Sequence, residues 1–377
     1  MSKGKAFIVS NLDTFFLANR KEQAQVMREK GYEVHVLAAD TGRSGDITKM
    51  GFVYHELPMA RYSLNPFLSL KSIRDIRRIY QKESPVVIHH LGLKVIMLGT
   101  LAAMKTGAAV FNTYTGLGYL FTIDTPKTKF FRSVLFMFSK WLYSRKRVVA
   151  IFQNMTDFNL FKKHNTIDDT NGFVIRGCGV NTEEYRYAPM PDQQPLKIIL
   201  PGKMLSSKGI YDFVEVAKAI KNDKTISQEV EFMLCGGIEE GHPFSAKKEE
   251  IEHWHNQGWV NWAGFQKDML AMYTNADIVM LPSWREGMPK GLLEAGSVGR
   301  PIITYDVAGC SEAVEDGVSG YVVPFGDVKL LTERTRQLIV DRDLRVKMGE
   351  NSRQYVLRHF ETYKIIEENL ALYNKFL

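Results

Sequence analysis

The chain has 377 residues, 45% of them hydrophobic, with 49 Lys and Arg against 42 Asp and Glu. That length gives a prior of roughly two to three domains, and the apolar fraction is ample for two cores. No run of about 18 apolar residues stands ready to cross a bilayer, and the stretch Ala6–Val9 is too short for a signal peptide, so a chain that does not span a membrane is expected. Cys178, Cys235 and Cys310 lack metal or redox spacing and suit packing roles in a reducing compartment. Charge is uneven: residues 1–190 hold 27 Lys and Arg against 15 Asp and Glu. Either this half faces something anionic, such as a lipid headgroup, a phosphorylated acceptor or nucleic acid, or it is a solvated basic surface. No nucleic-acid module is recognisable, so nucleic acid is not an expected partner.

In chain order, apolar runs of strand length alternate with amphipathic segments, which argues parallel sheets with helical crossovers. Ala6–Ser10 reads as the first strand. The polar turn after it, Ser10–Thr14, carries Asn11, which can reach a phosphate. Residues 18–30 read as a helix ending at Gly31; Arg20 on it is either an acceptor contact or a cap or surface residue. Further strands are expected at Glu33–Ala38, Val86–His89 and Val110–Thr113. In His89-His90-Leu91-Gly92-Leu93-Lys94, His90 and Lys94 are candidates for acceptor or phosphate contact, or His90 is structural. Adjacent histidines at a strand end point to opposite sides, and no carboxylate lies nearby in sequence, so a metal is not expected there. In Thr113-Tyr114-Thr115-Gly116, the Thr115 hydroxyl can bond a sugar hydroxyl but cannot act as a base near neutral pH, and Gly116 serves the turn. Phe130–Arg147 is aromatic and basic; it fits an interfacial helix over anionic headgroups or a core helix with a charged end. The proline-rich stretch Ala188–Pro195 reads as a linker and divides 1–190 from the rest of the chain.

The second half shows strands at Lys197–Leu200, Val230–Cys235, Ile278–Leu281 and Pro301–Thr304. After the first comes Gly202-Lys203-Met204-Leu205-Ser206-Ser207-Lys208-Gly209. Gly202 and Gly209 permit close backbone approach, and Lys203 and Lys208 can neutralise a departing diphosphate. The most informative stretch is Ser283–Ala295. There a polar turn with Gly287 and Met288 leads from a buried strand to Pro289, expected at the first turn of a helix. Glu286 thus stands at a strand's carboxyl end, and Glu294 about two turns into the helix. Crevices at strand carboxyl ends bind ligands in open α/β sheets, and helix N-termini suit phosphate. Glu286 can take sugar hydroxyls, while Glu294 can hold a ribose diol. Standing alone, such a pair is more often two solvated helix carboxylates.

It does not stand alone. Arg285-Glu286-Gly287-Met288-Pro289 opens a Glu-x7-Glu spacing that is followed by Gly299-Arg300-Pro301, Val307-Ala308-Gly309-Cys310-Ser311-Glu312 and Asp316-Gly317-Val318-Ser319-Gly320. With the Gly202–Gly209 loop upstream, this order resembles glycosyltransferase family four, over at least residues 197–325. Lys203 stands where that family usually has Arg, keeping the charge but losing the bidentate fork. Thr115 stands where many relatives have His. The resemblance implies an α/β fold of the GT-B type, two facing doubly wound Rossmann-like domains with a cleft between them. Residues 1–190, joined by a final helix at 361–377, would bind the acceptor; residues 191–360 would bind a nucleotide-sugar donor.

The resemblance further implies a retaining hexosyltransferase that moves a sugar from a UDP-sugar to a lipid-linked or polysaccharide acceptor in bacterial surface glycan synthesis. Such an enzyme would sit peripherally on the anionic inner face of the cytoplasmic membrane. Lys203, Lys208 and Glu286 would do the chemistry. Gly202, Gly287, Met288, Pro289, Glu294, Phe265 and Asn11 would hold the donor, with Phe265 on the loop that reads the base. Arg20, His90, Lys94, Thr115 and Gly116 would face acceptor or sugar. No cofactor or metal is expected, since no Asp-x-Asp stands at a strand end. The rival readings are a GT-B nucleotide-sugar epimerase and a non-catalytic nucleotide-sugar-binding protein. A dehydrogenase is disfavoured, because no Gly-x-Gly-x-x-Gly follows the first strand. Oligomeric state is left open.

Overall fold

The first strand, β1 (Gly4–Leu12), shows how the first unit is built. Its buried stretch is Ala6–Ser10, and the strand runs two residues beyond that at each end. Side chains alternate across the pleat. Ala6 and Ile8 join one hydrophobic cluster, and Phe7 and Val9 join another on the opposite face. Burial on both faces is the mark of a parallel sheet covered by helices on each side. The computed structural model describes residues 3–59, 65–192 and 194–377.

The remaining strands of this unit are β2 (Tyr32–Ala39), β3 (Val53–Glu56), β4 (Val87–Leu91), β5 (Ala109–Tyr114), β6 (Val148–Phe152) and β7 (Gly172–Val174). They pair in the order β3-β2-β1-β4-β5-β6-β7, and each pairing is parallel. The order reverses between β1 and β4. In doubly wound sheets ligands bind at that reversal, outside the strands' carboxyl ends. The helix expected over 18–30 is two helices, Asp13–Asn19 and Lys21–Glu29, divided at Arg20, whose φ of −137° and ψ of 0° break the helical path. The helix Thr362–Phe376 packs into the first unit, where Ile365, Ile366, Leu370 and Tyr373 are buried beside Ala6 and Ile8.

The second unit holds β8 (Leu196–Pro201), β9 (Val230–Cys235), β10 (Asn261–Trp262), β11 (Ile278–Leu281), β12 (Ile302–Tyr305) and β13 (Gly320–Val323). Their order is β10-β9-β8-β11-β12-β13, again parallel throughout, with the reversal between β8 and β11.

The first unit runs to Cys178 and takes up Tyr363–Leu377; the second is Gly179–Thr362. The division therefore falls before the proline-rich stretch rather than within it. Arg300, fully buried, explains why. Its guanidinium donates to the carbonyls of Ala188 at 3.0 Å and Pro189 at 3.1 Å, fastening that stretch to the second unit. Gln193 of the stretch lies outside the described residues. Among the described residues no helix is long and apolar enough to cross a membrane.

Candidate active site

The reversal between β8 and β11 brings together the loops Gly202–Gly209 and Pro282–Pro289. Their backbones touch: Trp284 N donates to the carbonyl of Ser207 at 2.9 Å. Gly209 makes this approach possible. Its φ is +75°, and a Cβ there would lie 2.0 Å from the carbonyl oxygen of Pro282. The loop after β12 closes from the other side, with Glu286 N donating to the carbonyl of Ala308 at 3.0 Å. A Cβ on Gly309 would sit 2.3 Å from the carbonyl oxygen of Gly287. Three loops from adjacent strands are thus held backbone to backbone, which fixes the side chains they carry.

Those side chains meet. Lys208 Nζ lies 2.5 Å from Glu286 Oε1, and the Ser283 hydroxyl donates to the same oxygen at 2.6 Å. The two partners are 25% and 15% exposed, so the pair is partly withdrawn from water but still reachable by a ligand. The cationic partner of Glu286 thus comes from another loop, although Lys290 also stands four residues after it in sequence. Lys203 is likewise engaged, 2.6 Å from Glu239 Oε2. Gly202 lies under this loop beside Gly236, where a Cβ would fall 1.7 Å from the Gly202 carbonyl oxygen.

Pro289 is the cap of the helix Lys290–Val298 rather than a residue of its first turn. Gly287 and Pro289 are buried with Met288, and they carry the chain into that helix. Glu294, one turn on from Lys290, is buried. It accepts from the Tyr273 hydroxyl at 3.2 Å and pairs with Lys290 at 3.5 Å. Burial pushes its carboxyl above the ordinary value, while Lys290 and the hydroxyls of Tyr185 and Tyr273 hold it down. Phe265, 74% exposed, follows Gly264 after β10 and stands beside Gly237. Phe265, Gly202, Lys203, Lys208, Glu286 and Gly287 therefore follow one another along a single carboxyl edge.

Residues 181–355 match the family model for glycosyl transferases group 1, and residues 6–154 match the model described as glycosyl transferase 4-like. Together the two models span most of the chain. It belongs to the family-four glycosyltransferases. The glycosyltransferase is 26% identical to the N,N'-diacetylbacillosaminyl-diphospho-undecaprenol alpha-1,3-N-acetylgalactosaminyltransferase of Campylobacter jejuni, a match covering 93% of each chain. It is 25% identical to the capsular polysaccharide biosynthesis glycosyltransferase CapM of Staphylococcus aureus, covering 94% of this chain and 93% of that one. Among solved structures it resembles Anabaena HepE in complex with UDP and glucose, with a TM-score of 0.75 at 15% identity over 99% of this chain and all of the other. The fold is GT-B.

In the first unit the glycosyltransferase brings Asn11, Gly92 and Thr115 together at the reversal between β1 and β4. A Cβ on Gly92 would come 3.4 Å from Asn11 Nδ2 and 3.7 Å from Thr115 Oγ1. Gly116 continues from Thr115, and Lys94 opens the helix Leu93–Ala103, where burial lowers its pKa. Asp13, unremarked in the sequence, ties this edge down. Its carboxylate accepts from the backbone N–H groups of Thr14, Thr41 and Arg43 and from the Thr41 hydroxyl.

Two candidates lie elsewhere. His90 is fully buried: Nδ1 lies 2.9 Å from Asn112 Oδ1, and Nε2 lies 3.1 Å from the Tyr80 hydroxyl. No ring nitrogen is left for a ligand, and burial lowers its pKa to about 4. His89 turns to the other face, between the hydroxyls of Tyr373 and Thr113. Arg20 is 3% exposed and stands beside His89 and Tyr373, so it is a core residue and not a surface one. Among the described residues, no group of three or more His, Cys, Asp or Glu is placed to hold a metal ion.

Proposed function

We propose that the glycosyltransferase moves a hexose or N-acetylhexosamine, with retention, from a UDP-sugar to an acceptor on a lipid-linked diphosphate in bacterial surface glycan synthesis. The observation that carries this reading is the Lys208–Glu286 pair at the strand-order reversal of the second unit. It offers a cation for diphosphate and a carboxylate for sugar hydroxyls within one contact. The Campylobacter relative's lipid-diphosphate acceptor and the UDP and glucose bound to HepE support the substrate classes.

In this reaction the bond from the anomeric carbon to the β-phosphate oxygen breaks. A bond from that carbon to the acceptor oxygen forms on the same face. The acceptor's proton passes to the departing diphosphate. Lys208 and Lys203 stabilise the charge that develops there, as pre-positioned cations do for a leaving group. Glu286 orients the sugar, and Glu294 holds the ribose. Thr115 and Lys94 line the acceptor side in the first unit, and Asn11 reaches the donor's phosphate. The lysines take the charge role that a divalent ion plays elsewhere, so transfer needs no metal.

The helix Pro126–Tyr143 supports peripheral attachment to an anionic membrane. One face is buried through Leu135, Phe136, Leu142 and Tyr143. The other leaves Phe130, Phe131, Val134, Met137 and Trp141 exposed at helical spacing. The helix therefore has a core face, and its exposed apolar face is what supports the interfacial reading. Transfer of radiolabelled sugar from a panel of UDP-sugars onto undecaprenyl-diphosphate-linked acceptors tests the reading. It fails if no UDP-sugar is a donor, or if the product's anomeric configuration is inverted.

A further inference from the structure

The amino ends of β5 and β6 enclose a cavity of about 260 Å³, whose walls include Ala103, Met104, Ala108, Val110, Leu142 and Val148. It lies at the opposite edge of the sheet from Asn11, Gly92 and Thr115, so donor and acceptor binding do not account for it. Those six side chains are apolar, and Thr100 and Gly107 complete the walls beside them. The rim is three consecutive exposed cations, Arg145, Lys146 and Arg147.

Among the described residues none of the three pairs with a carboxylate. The far end of the neighbouring helix differs: there Asp124 takes both Lys129 and Arg132 at 3.1 Å. Cations after a helix carboxyl end are ordinary partners of its dipole. That account explains the charges and not the apolar hollow beneath them. Two further observations bear on it. Arg147 has a φ of 62°, a left-handed conformation unfavourable for a residue that carries a Cβ. Arg145 stacks over Trp141 at 4.7 Å, so the rim continues directly into the exposed apolar stripe.

We propose that this cavity binds one anionic phospholipid. The lipid phosphate sits on Arg145, Lys146 and Arg147, and the first methylenes of a chain enter among Ala103, Met104, Ala108 and Leu142. Arg147 also donates to the carbonyl of Gly107 at 3.4 Å, which leaves its charge without a carboxylate. A largely apolar hollow under cations that lack carboxylate partners fits an anionic amphiphile: a free phosphate leaves the hollow unfilled, and a zwitterionic headgroup brings its own cation to the rim. The volume, just under the ~300 Å³ at which small-ligand pockets begin, suits a headgroup and a short stretch of chain. The inference rests on the membrane reading above and adds a stoichiometric lipid site to it.

The test is calorimetric titration of the full chain with dioctanoyl-phosphatidylglycerol held below its micelle-forming concentration. Saturable one-to-one binding is expected, at least tenfold tighter than to dioctanoyl-phosphatidylcholine. Glycerol 3-phosphate and inorganic phosphate should neither bind comparably nor compete. The double variant Lys146→Gln with Arg147→Gly removes two cations, each worth about 1 kcal/mol near an anionic headgroup, so affinity should fall about thirtyfold. Glycine is at ease at a φ of 62°, so the double variant should melt no lower than the parent, which separates lost binding from lost folding. Absence of saturation, equal binding of inorganic phosphate, or a double variant within threefold of the parent overturns the proposal. A separate variant, Phe130→Ser with Met137→Ser, should lose co-sedimentation with phosphatidylglycerol vesicles while keeping its affinity for the dioctanoyl lipid. The vesicle result bears on the membrane reading and the soluble-lipid result on the cavity, so the two fail separately.

Discussion

Replacing Lys208 and Glu286, singly and together, separates a charge that binds diphosphate from a carboxylate that binds sugar. In the free enzyme the two neutralise each other across 2.5 Å. A diphosphate must therefore share Lys208 with Glu286, so losing Lys208 weakens UDP binding while losing Glu286 does not. Lys208→Ala deletes a charge-assisted contact worth about 1.5–3 kcal/mol, which raises the dissociation constant for UDP about 10- to 150-fold. Glu286→Ala deletes the competing anion. A partly exposed pair contributes about 0–1 kcal/mol, so UDP should bind unchanged or up to about fivefold tighter. Transfer behaves otherwise. Each loss removes a group that acts on developing charge or sugar orientation, and each should lower kcat by about 10²–10³. Because both groups serve one step, the double variant should be little slower than the slower single one. UDP affinity by calorimetry and sugar transfer under saturating donor give the two readouts, with circular dichroism to check the fold. The reasoning is refuted if Glu286→Ala weakens UDP as much as Lys208→Ala does, or if either variant transfers sugar within threefold of the parent.

Glu294→Ala should weaken UDP at least about tenfold and leave an unpaired Tyr273 hydroxyl that costs about 1–3 kcal/mol of stability; unchanged UDP affinity removes Glu294 from the ribose. Transfer should persist in EDTA, and activity lost to chelator and restored by Mg²⁺ or Mn²⁺ would overturn the metal-free reading. Acid should destabilise the first unit through His90. Its folded pKa of about 4 lies below the unfolded value of about 6.5, so the unfolded chain takes the proton first. Stability then falls as pH drops from about 6.5 to about 4, by up to ~3 kcal/mol, and the contribution is complete at neutral pH. Denaturant midpoints at pH 7 and pH 4.5 should differ less for His90→Gln than for the parent; equal differences count against it.

The strands and the carboxyl-edge placement of Glu286 and Lys208 were readable from local pattern, since an apolar run followed by a Gly-bearing polar turn marks a strand end. Their contact was not. The two lie 78 positions apart, and only the adjacency of β8 and β11 joins them. Lys290 stands four residues from both Glu286 and Glu294, so spacing alone did not assign it to Glu294. Ser283 stands three residues before Glu286 but carries no mark of its role. Tyr273 and Glu239 carry none either, because each reaches its partner through tertiary packing. His90 shows a different limit. Alternation told that His89 and His90 point apart, but in a parallel sheet both sides are covered, so pointing apart means two burials and not one exposure. The helix Pro126–Tyr143 posed core against interface as rivals, and eighteen residues are enough turns for one helix to carry both a buried face and an exposed apolar one.

The helix that carries Tyr373 has a consequence for the order in which the protein is made. The first unit's core needs Ile365, Ile366, Leu370 and Tyr373, which are translated only after the whole of Gly179–Thr362. At roughly 5–20 residues per second, that intervening unit takes about ten to forty seconds to emerge. During that interval Phe111 and Phe173, whose rings pack tilted and edge-on against Tyr373 and Phe376, lack that cover. The second unit, continuous in sequence, faces no such wait. A ribosome-stalling or truncation series should therefore find the second unit protease-resistant first, and the first unit sealed only when its closing helix arrives.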